Sequence, residues 1–200
     1  MAKLYFKYGP MGSSKSAQLL MTAHSLERRD IPFLCIKPSI DNRDGEGVIT
    51  SRIGISRECV TVLPTDDIYK LVVDYTEVSV GGYLDKPLKW ILVDECQFLT
   101  EEQVDQLSDV VDRLGISVLC YGLRTDFTTR LFEGSRRLME IADDIDELKM
   151  SCDCGGKAVF NARIDVEGYV ITDGEQIAIG GDDMYRPLCR RCYNKSVKKY

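Results

Sequence analysis

Gly9-Pro10-Met11-Gly12-Ser13-Ser14-Lys15-Ser16 follows the apolar run Leu4-Tyr5-Phe6-Lys7-Tyr8 and precedes Leu19, Ala23 and Leu26, which recur at helical spacing. A strand, a short glycine-bearing turn and a helix, in that order, make the setting for a phosphate-binding loop of pattern G-x-x-x-x-G-K-[ST]. In such a loop successive backbone N–H groups form an anion nest, and the helix N-terminus adds its partial positive charge. Lys15 supplies a full charge, and the Ser16 hydroxyl is placed to ligate Mg²⁺. Ser14 stands where the pattern wants its second glycine. If the backbone there needs a positive φ, serine costs roughly 1 kcal/mol. The plainer reading is a Gly/Ser-rich turn, and the strand–loop–helix order argues against it.

Outward from that loop, the first 150 residues alternate apolar runs with amphipathic stretches. Phe33-Leu34-Cys35-Ile36, Trp90-Ile91-Leu92-Val93 and Val118-Leu119-Cys120-Tyr121 have the length and side-chain types of buried strands. Thr100 followed by Glu101-Glu102-Gln103 predicts a capped helix start, with Val104, Leu107 and Val111 along one side. Alternating strands and helices predict an α/β fold: a mostly parallel sheet with helices on both faces. Trp90 to Val93 ends in Asp94-Glu95, and ligands of open parallel sheets bind at the carboxyl ends of strands. Both acids should therefore face the phosphate loop, with Asp94 on Mg²⁺ and Glu95 placed to accept a proton from a hydroxyl or a water. Alone, such a strand end could be two solvated acids; beside a phosphate loop it reads as chemistry.

The charge balance is acidic, 26 Lys+Arg against 32 Asp+Glu, which argues against binding nucleic acid through its phosphates. No apolar run reaches the length that spans a membrane. Nothing at the N-terminus has the pattern of a signal peptide, so the expectation is a cytoplasmic protein with reduced thiols. Eight cysteines divide into two sets. Cys35, Cys59, Cys96 and Cys120 are solitary and lie in or beside apolar runs, as buried free thiols do. Cys152-x-Cys154 and Cys189-x-x-Cys192 bracket a glycine-punctuated segment with strand-like pieces at 158–160, 169–171 and 176–179. Four thiolates satisfy tetrahedral Zn²⁺ and leave no open position, the mark of a structural site. Buried thiols remain the alternative. The change of texture at Ser151 predicts two domains, 1–150 and 151–200, the second too small to rely on its own core. Between Pro38 and Gly47 the polar run Asp41-Asn42-Arg43-Asp44-Gly45 predicts a mobile loop.

Taken in order, these residues resemble the P-loop, zinc-containing thymidine kinases of the cytosolic and bacterial type. The resemblance rests on G-P-M-G-S-S-K-S at 9–16, D-N-R at 41–43 and D-E-C-Q-F-L at 94–99. It continues through Y-G-L-R-T-D-F at 121–127 and I-G-G-D-D-M-Y at 179–185 into C-R-R-C-Y at 189–193. It implies a P-loop NTPase-like sheet carrying a small zinc-ribbon-like domain with a lasso loop. It implies that Gly9 to Ser16 hold the phosphates of ATP, that Asp41, Asn42 and Arg43 approach the nucleotide, and that Asp94, Cys96 and Gln97 share the pocket of Glu95. Glu95 is then the general base on the thymidine 5′-hydroxyl. Phe127 contacts the thymine ring, while Met11, Phe98 and Leu123 wall in its methyl group. Gln176, Ile177, Ala178, Ile179 and Gly180 form the lasso over the nucleoside, and Tyr185 closes it. Mg²⁺ dependence, structural Zn²⁺ on Cys152, Cys154, Cys189 and Cys192, a homotetramer and inhibition by thymidine triphosphate come with the same resemblance. Three positions depart from the family pattern: Ser14 in the phosphate loop, Asn42 for threonine, and C-x-C where many members have C-x-x-C. In the last case Ser151 falls where the first cysteine would stand, and the alternative is that Cys152 does not ligate.

The expected reaction is transfer of the ATP γ-phosphoryl group to thymidine. A nucleic-acid-stimulated ATPase is the runner-up, because Asp94-Glu95-Cys96-Gln97 superficially matches a D-E-x-Q box. A non-enzymatic, nucleotide-regulated zinc module is the third reading.

Overall fold

The structure, a computed structural model, describes residues 1–41, 45–78, 86–176 and 184–197. Its frame is a six-stranded sheet whose neighbours all run parallel. In chain order the strands are β1 (Leu4–Tyr8), β2 (Phe33–Pro38), β5 (Val60–Val62), β6 (Trp90–Val93), β7 (Ser117–Gly122) and β8 (Asp144–Glu147). Across the sheet they lie in the order β5-β2-β6-β7-β1-β8. Between β2 and β5 an antiparallel hairpin, β3 (Val48–Thr50) with β4 (Ser56–Glu58), stands apart from the sheet.

Alternation of side chains along the strands divides the core between the two faces. Phe6, Leu34, Ile36, Ile91, Val93, Val118 and Cys120 face one way. They pack against α2 (Ile68–Val78), α3 (Glu101–Leu114) and α4 (Glu133–Ile141) through Ile68, Val72, Val104, Leu107 and Leu138. Cys35, Leu92, Leu119 and Tyr121 face the other way and meet Leu19, Leu20, Ala23 and Leu26 of α1 (Lys15–Arg28). The expected helices on both faces are present. At the start of α3 the Thr100 side chain accepts from the Gln103 N–H at 3.1 Å, and the Gln103 side chain accepts from the Thr100 N–H, closing the predicted capping box. Gly115, at φ 66°, ends the helix in the left-handed region.

Beyond β8, Cys152, Ala158, Ala162, Val170, Leu188 and Tyr193 form a third apolar cluster. It is built on the antiparallel pair β9 (Phe160–Arg163) and β10 (Tyr185–Leu188) and on α5 (Arg190–Ser196). The sequence placed strands slightly differently here. The predicted piece at 158–160 contributes only Phe160 to β9, and the piece at 169–171 makes only isolated bridges from Val170 to Ile164 and Val197. Such segments are too short to sustain a ladder by themselves. Ile177, Ala178, Ile179, Gly180, Asn42 and Arg43 lie outside the described residues. Among the described residues no helix is long and apolar enough to cross a membrane.

Candidate active site

Strands β6, β7 and β1 are neighbours, so their carboxyl ends deliver Asp94-Glu95, the 123–127 segment and the phosphate loop to one place. A cavity of about 470 Å³ opens there, within the range that holds small-molecule ligands. Met11, Gly12, Ser14, Lys15 and Ser16 line one end of it. Asp41, Asp94, Glu95, Gln97, Phe98, Leu123, Phe127, Gln176 and Tyr185 line it as well.

The loop's shape explains its composition. Gly9 donates its N–H to the Gly122 carbonyl at 3.2 Å, fixing the start of the loop to the end of β7. A Cβ at Gly9 would come 2.4 Å from Ser13 Oγ and 2.6 Å from the Leu148 carbonyl, so no side chain fits. Gly9, Pro10 and Ser13 therefore form the loop's underside and do not line the cavity, although the sequence grouped all of 9–16 together. The buried Lys15 ammonium donates to the carbonyls of Gly9 at 3.2 Å and Pro10 at 3.0 Å. Ser14 sits at φ 62°, ψ 29°, in the left-handed region that a glycine occupies without cost. Serine is thus strained at the departure the sequence flagged. Ser14→Gly should keep nucleotide affinity and raise Tm by roughly 2–4 °C, the equivalent of about 1 kcal/mol in a chain of this size. A thermal melt checks this; an unchanged or lower Tm would mean the serine side chain makes a compensating contact.

Glu95 is also left-handed, at φ 49°, ψ 38°. Two of the four non-glycine residues with positive φ among the described residues therefore border one cavity, as strained backbone does at functional sites. A 3-10 turn (Cys96–Phe98) follows, and within it the Gln97 amide donates to Glu95 Oε2 at 2.5 Å. Gln97 Oε1 accepts from the Leu123 N–H at 2.9 Å, so β7's end orients the amide that holds the carboxylate. Asp94 is buried, and its Oδ1 has no hydrogen-bond partner among the described residues. Burial first, and the Glu95 charge second, push the Asp94 carboxyl up to about 7, while a hydrogen bond with Ser16 opposes them. An orphaned carboxylate oxygen beside a hydroxyl suits a divalent cation, so Ser16 and Asp94 fit Mg²⁺. Cys96 corrects an expectation. Its side chain is fully buried in the core beside Cys120, away from the cavity, because the 3-10 turn points it under the sheet.

Several cavity residues escaped the sequence reading, Arg52 and Asn161 among them. Arg52, in the β3–β4 turn, lies on the wall about 4.0 Å from where a Cβ on Gly12 would stand. The buried Asn161 accepts from the Met11 N–H at 2.7 Å and donates to the Thr125 carbonyl at 3.2 Å, tying the phosphate loop to the segment after β7. Neither carries a local motif; each arrives through a distant strand or turn.

After β7, Asp126 Oδ1 accepts from the Thr128 N–H and hydroxyl and from the Arg130 N–H, pinning the turn that presents the buried Phe127. Asp126 Oδ2 accepts from the Gln176 amide at 2.9 Å. Behind this wall the Sγ atoms of Cys152, Cys154, Cys189 and Cys192 lie within 4.8 Å of one another, with Cys154 and Cys189 at 3.6 Å. A zinc tetrahedron with thiolate arms of about 2.3 Å has edges of about 3.8 Å, so the four sulfurs fit that ion. The C-x-C pair closes through a tight turn: the Gly155 N–H donates to the Cys152 carbonyl at 2.8 Å, with Gly155 at φ 80°. That turn brings Cys152 into the cluster despite the short spacing. The Cys192 amide donates to Cys189 Sγ and holds that thiol down to about 7, which favours the thiolate a metal takes.

Comparison with known proteins gives a consistent result. A family model described as "Thymidine kinase" matches residues 2–193. A thymidine kinase of Pasteurella multocida is 48% identical over 198 residues, covering 98% of this chain and 99% of that one. One from Rhodopirellula baltica is 46% identical, covering 98% and 90% respectively. Another, from Yersinia pseudotuberculosis, is 42% identical, covering 99% and 97%.

Proposed function

The chain belongs to the thymidine kinase family, and we propose that its cavity transfers the γ-phosphoryl group of ATP to the 5′-hydroxyl of thymidine, giving thymidine monophosphate and ADP. The observation that carries the residue assignment is the position of Glu95. It lines one cavity together with Lys15 and Ser16 of the phosphate loop and with the aromatic residues Phe127 and Tyr185. A base placed between an anion-binding loop and an aromatic wall suits a nucleoside acceptor and a polyphosphate donor.

The phosphate loop, from Met11 to Ser16, and Lys15 above all, holds the donor phosphates and neutralises their charge. Asp41 and Arg52 line the same cavity. Ser16 and Asp94 would hold Mg²⁺, which would supply further neutralisation of the transferring group. Phe127, Leu123, Phe98 and Met11 enclose the base, with Gln176 and Tyr185 at its rim. Glu95 takes the proton of the 5′-hydroxyl as O5′ bonds to the γ-phosphorus and the bond from that phosphorus to the β–γ bridging oxygen breaks. Gln97 keeps the carboxylate aimed. The transition state is loose, so positioning and charge neutralisation carry most of the rate enhancement. The reading extends to a homotetramer, a cytoplasmic location and inhibition by thymidine triphosphate, all supported by the family resemblance. It includes no nucleic-acid partner, which the acidic balance supports.

The experiment is ADP release with ATP and Mg²⁺. Release that requires thymidine and ignores DNA supports the kinase. Thymidine-independent release stimulated by DNA would overturn it in favour of the ATPase.

The cysteine cluster is read as a structural zinc site that shapes the nucleoside end. Tyr193, next to Cys192, donates its hydroxyl to the Phe127 carbonyl at 3.1 Å, so the metal knuckle bears directly on the residue facing the base. Cys189→Ser should lose zinc, lower Tm and raise the thymidine KM while leaving ATP binding in place. Metal analysis beside steady-state kinetics checks it. Active protein without zinc, or an unaltered thymidine KM, would defeat this assignment.

A further inference from the structure

Arg163, in β9, is nine-tenths buried at 9% exposure. Among the described residues its guanidinium pairs with no carboxylate. Its neighbours are neutral instead. The guanidinium carbon lies 3.8 Å from the centroid of the Phe127 ring. Nε and Nη2 both donate to the Tyr185 hydroxyl, at 3.1 Å and 2.7 Å, and Nη2 also reaches the Glu175 carbonyl at 3.3 Å. The β9–β10 register sets Tyr185 directly opposite Arg163, so the contact is built into the ladder. Arg163 does not line the cavity, whereas Phe127 and Tyr185 do.

Burying a cation without a counter-charge is costly, and a fold keeps such an arrangement only where the geometry repays it. A guanidinium can stack flat on a ring and at the same time direct a fork of N–H groups in its own plane; an ammonium cannot do both. Here those two capacities act on two of the aromatic residues assigned to the nucleoside, Phe127 and Tyr185. Stacking fixes the plane of Phe127 from one side of its ring. The fork fixes where the Tyr185 hydroxyl points and orients that hydroxyl's own proton away from Arg163, because its lone pairs accept from the guanidinium.

We propose that Arg163 is the positioning residue of the nucleoside end, setting the ring plane of Phe127 and the hydroxyl of Tyr185 without touching the nucleoside. This rests on the thymidine kinase reading of the cavity. A residue acting this way governs binding of the acceptor and leaves the phosphate loop and Glu95 undisturbed.

The test measures thymidine KM, ATP KM and kcat for the wild type, Arg163→Met and Arg163→Lys. Met keeps an unbranched apolar stem, shorter than that of arginine, and removes both the charge and the fork. The expected result is a thymidine KM raised about tenfold or more, with ATP KM and kcat within about twofold, since loss of one desolvated cation–π contact and its charge-assisted hydrogen bonds is of that order. Lys should recover part of the loss through its charge. An unchanged thymidine KM, or parallel loss in thymidine KM, ATP KM and kcat, would overturn the proposal while the wild-type activity keeps the kinase reading intact. Wild-type protein that phosphorylates no nucleoside overturns both. If Arg163→Met does not fold, the cycle of Arg163→Lys, Tyr185→Phe and their double variant decides: non-additive effects on thymidine KM support the contact, and additive ones overturn it.

Discussion

Glu95→Gln should lower kcat by about 10²–10⁴-fold while ATP still binds, the range that a positioned general base contributes. The substitution keeps the size of the side chain and replaces the proton-accepting oxygen by an amide. It also tests the clamp from Gln97, whose amide donates to Glu95 Oε2. With glutamine at 95, amide would face amide, and one can turn to present its oxygen, so the fold should survive. The backbone supports the same view: the strain at φ 49° belongs to the position rather than to the carboxylate, and glutamine inherits it unchanged. The measurement is single-turnover phosphoryl transfer beside ATP binding by titration. Activity equal to the wild type would move the base elsewhere.

Lys15→Ala should reduce kcat/KM by about 10²–10³-fold, the cost of removing one preorganised charge aimed at a transferring group in a low-dielectric site. Lys15 is buried, at 7% exposure, and its ammonium already lies among the loop carbonyls of Gly9 and Pro10. Its loss therefore takes away both the donor-neutralising charge and a brace of the loop. Lys15→Arg should rescue little, because a planar fork does not fit where a point charge is cradled by carbonyls. Comparison of kcat/KM for ATP across the three proteins decides. A fall in kcat/KM for thymidine with that for ATP unchanged would place Lys15 outside the phosphate site.

These two residues show what a sequence can disclose. Lys15 and Glu95 lie in local patterns whose meaning is set by neighbours in the chain: a strand before the loop, a helix after it, a strand before the acids. The unbroken apolar runs Phe33 to Ile36 and Trp90 to Val93 likewise announced buried strands. Patterns without such local support were silent. The acidic strand Asp144–Glu147 has no apolar run, yet it joins the sheet by pairing with β1. The β3–β4 hairpin brings Arg52 to the cavity, and β9 brings Asn161 to Met11, 150 residues away in the chain, and Arg163 to Phe127, through tertiary pairing that no local spacing encodes. Cys96 failed in the opposite direction. It stands inside a functional motif, but the turn after Glu95 directs its thiol into the core beside Cys120. Ser14 was legible as a conditional, and the left-handed backbone at that position supplied the condition.

The central claim is that the phosphoryl group passes from ATP to a nucleoside within this one cavity, with thymidine as acceptor. The most direct measurement supplies ATP carrying an isotope label in the γ-phosphoryl group, Mg²⁺ and a panel of nucleosides, with products identified by mass. Transfer within this cavity yields labelled thymidine monophosphate and ADP in equal amounts, with a yield that collapses in Glu95→Gln. Label recovered only in inorganic phosphate, whatever nucleoside is present, would contradict it.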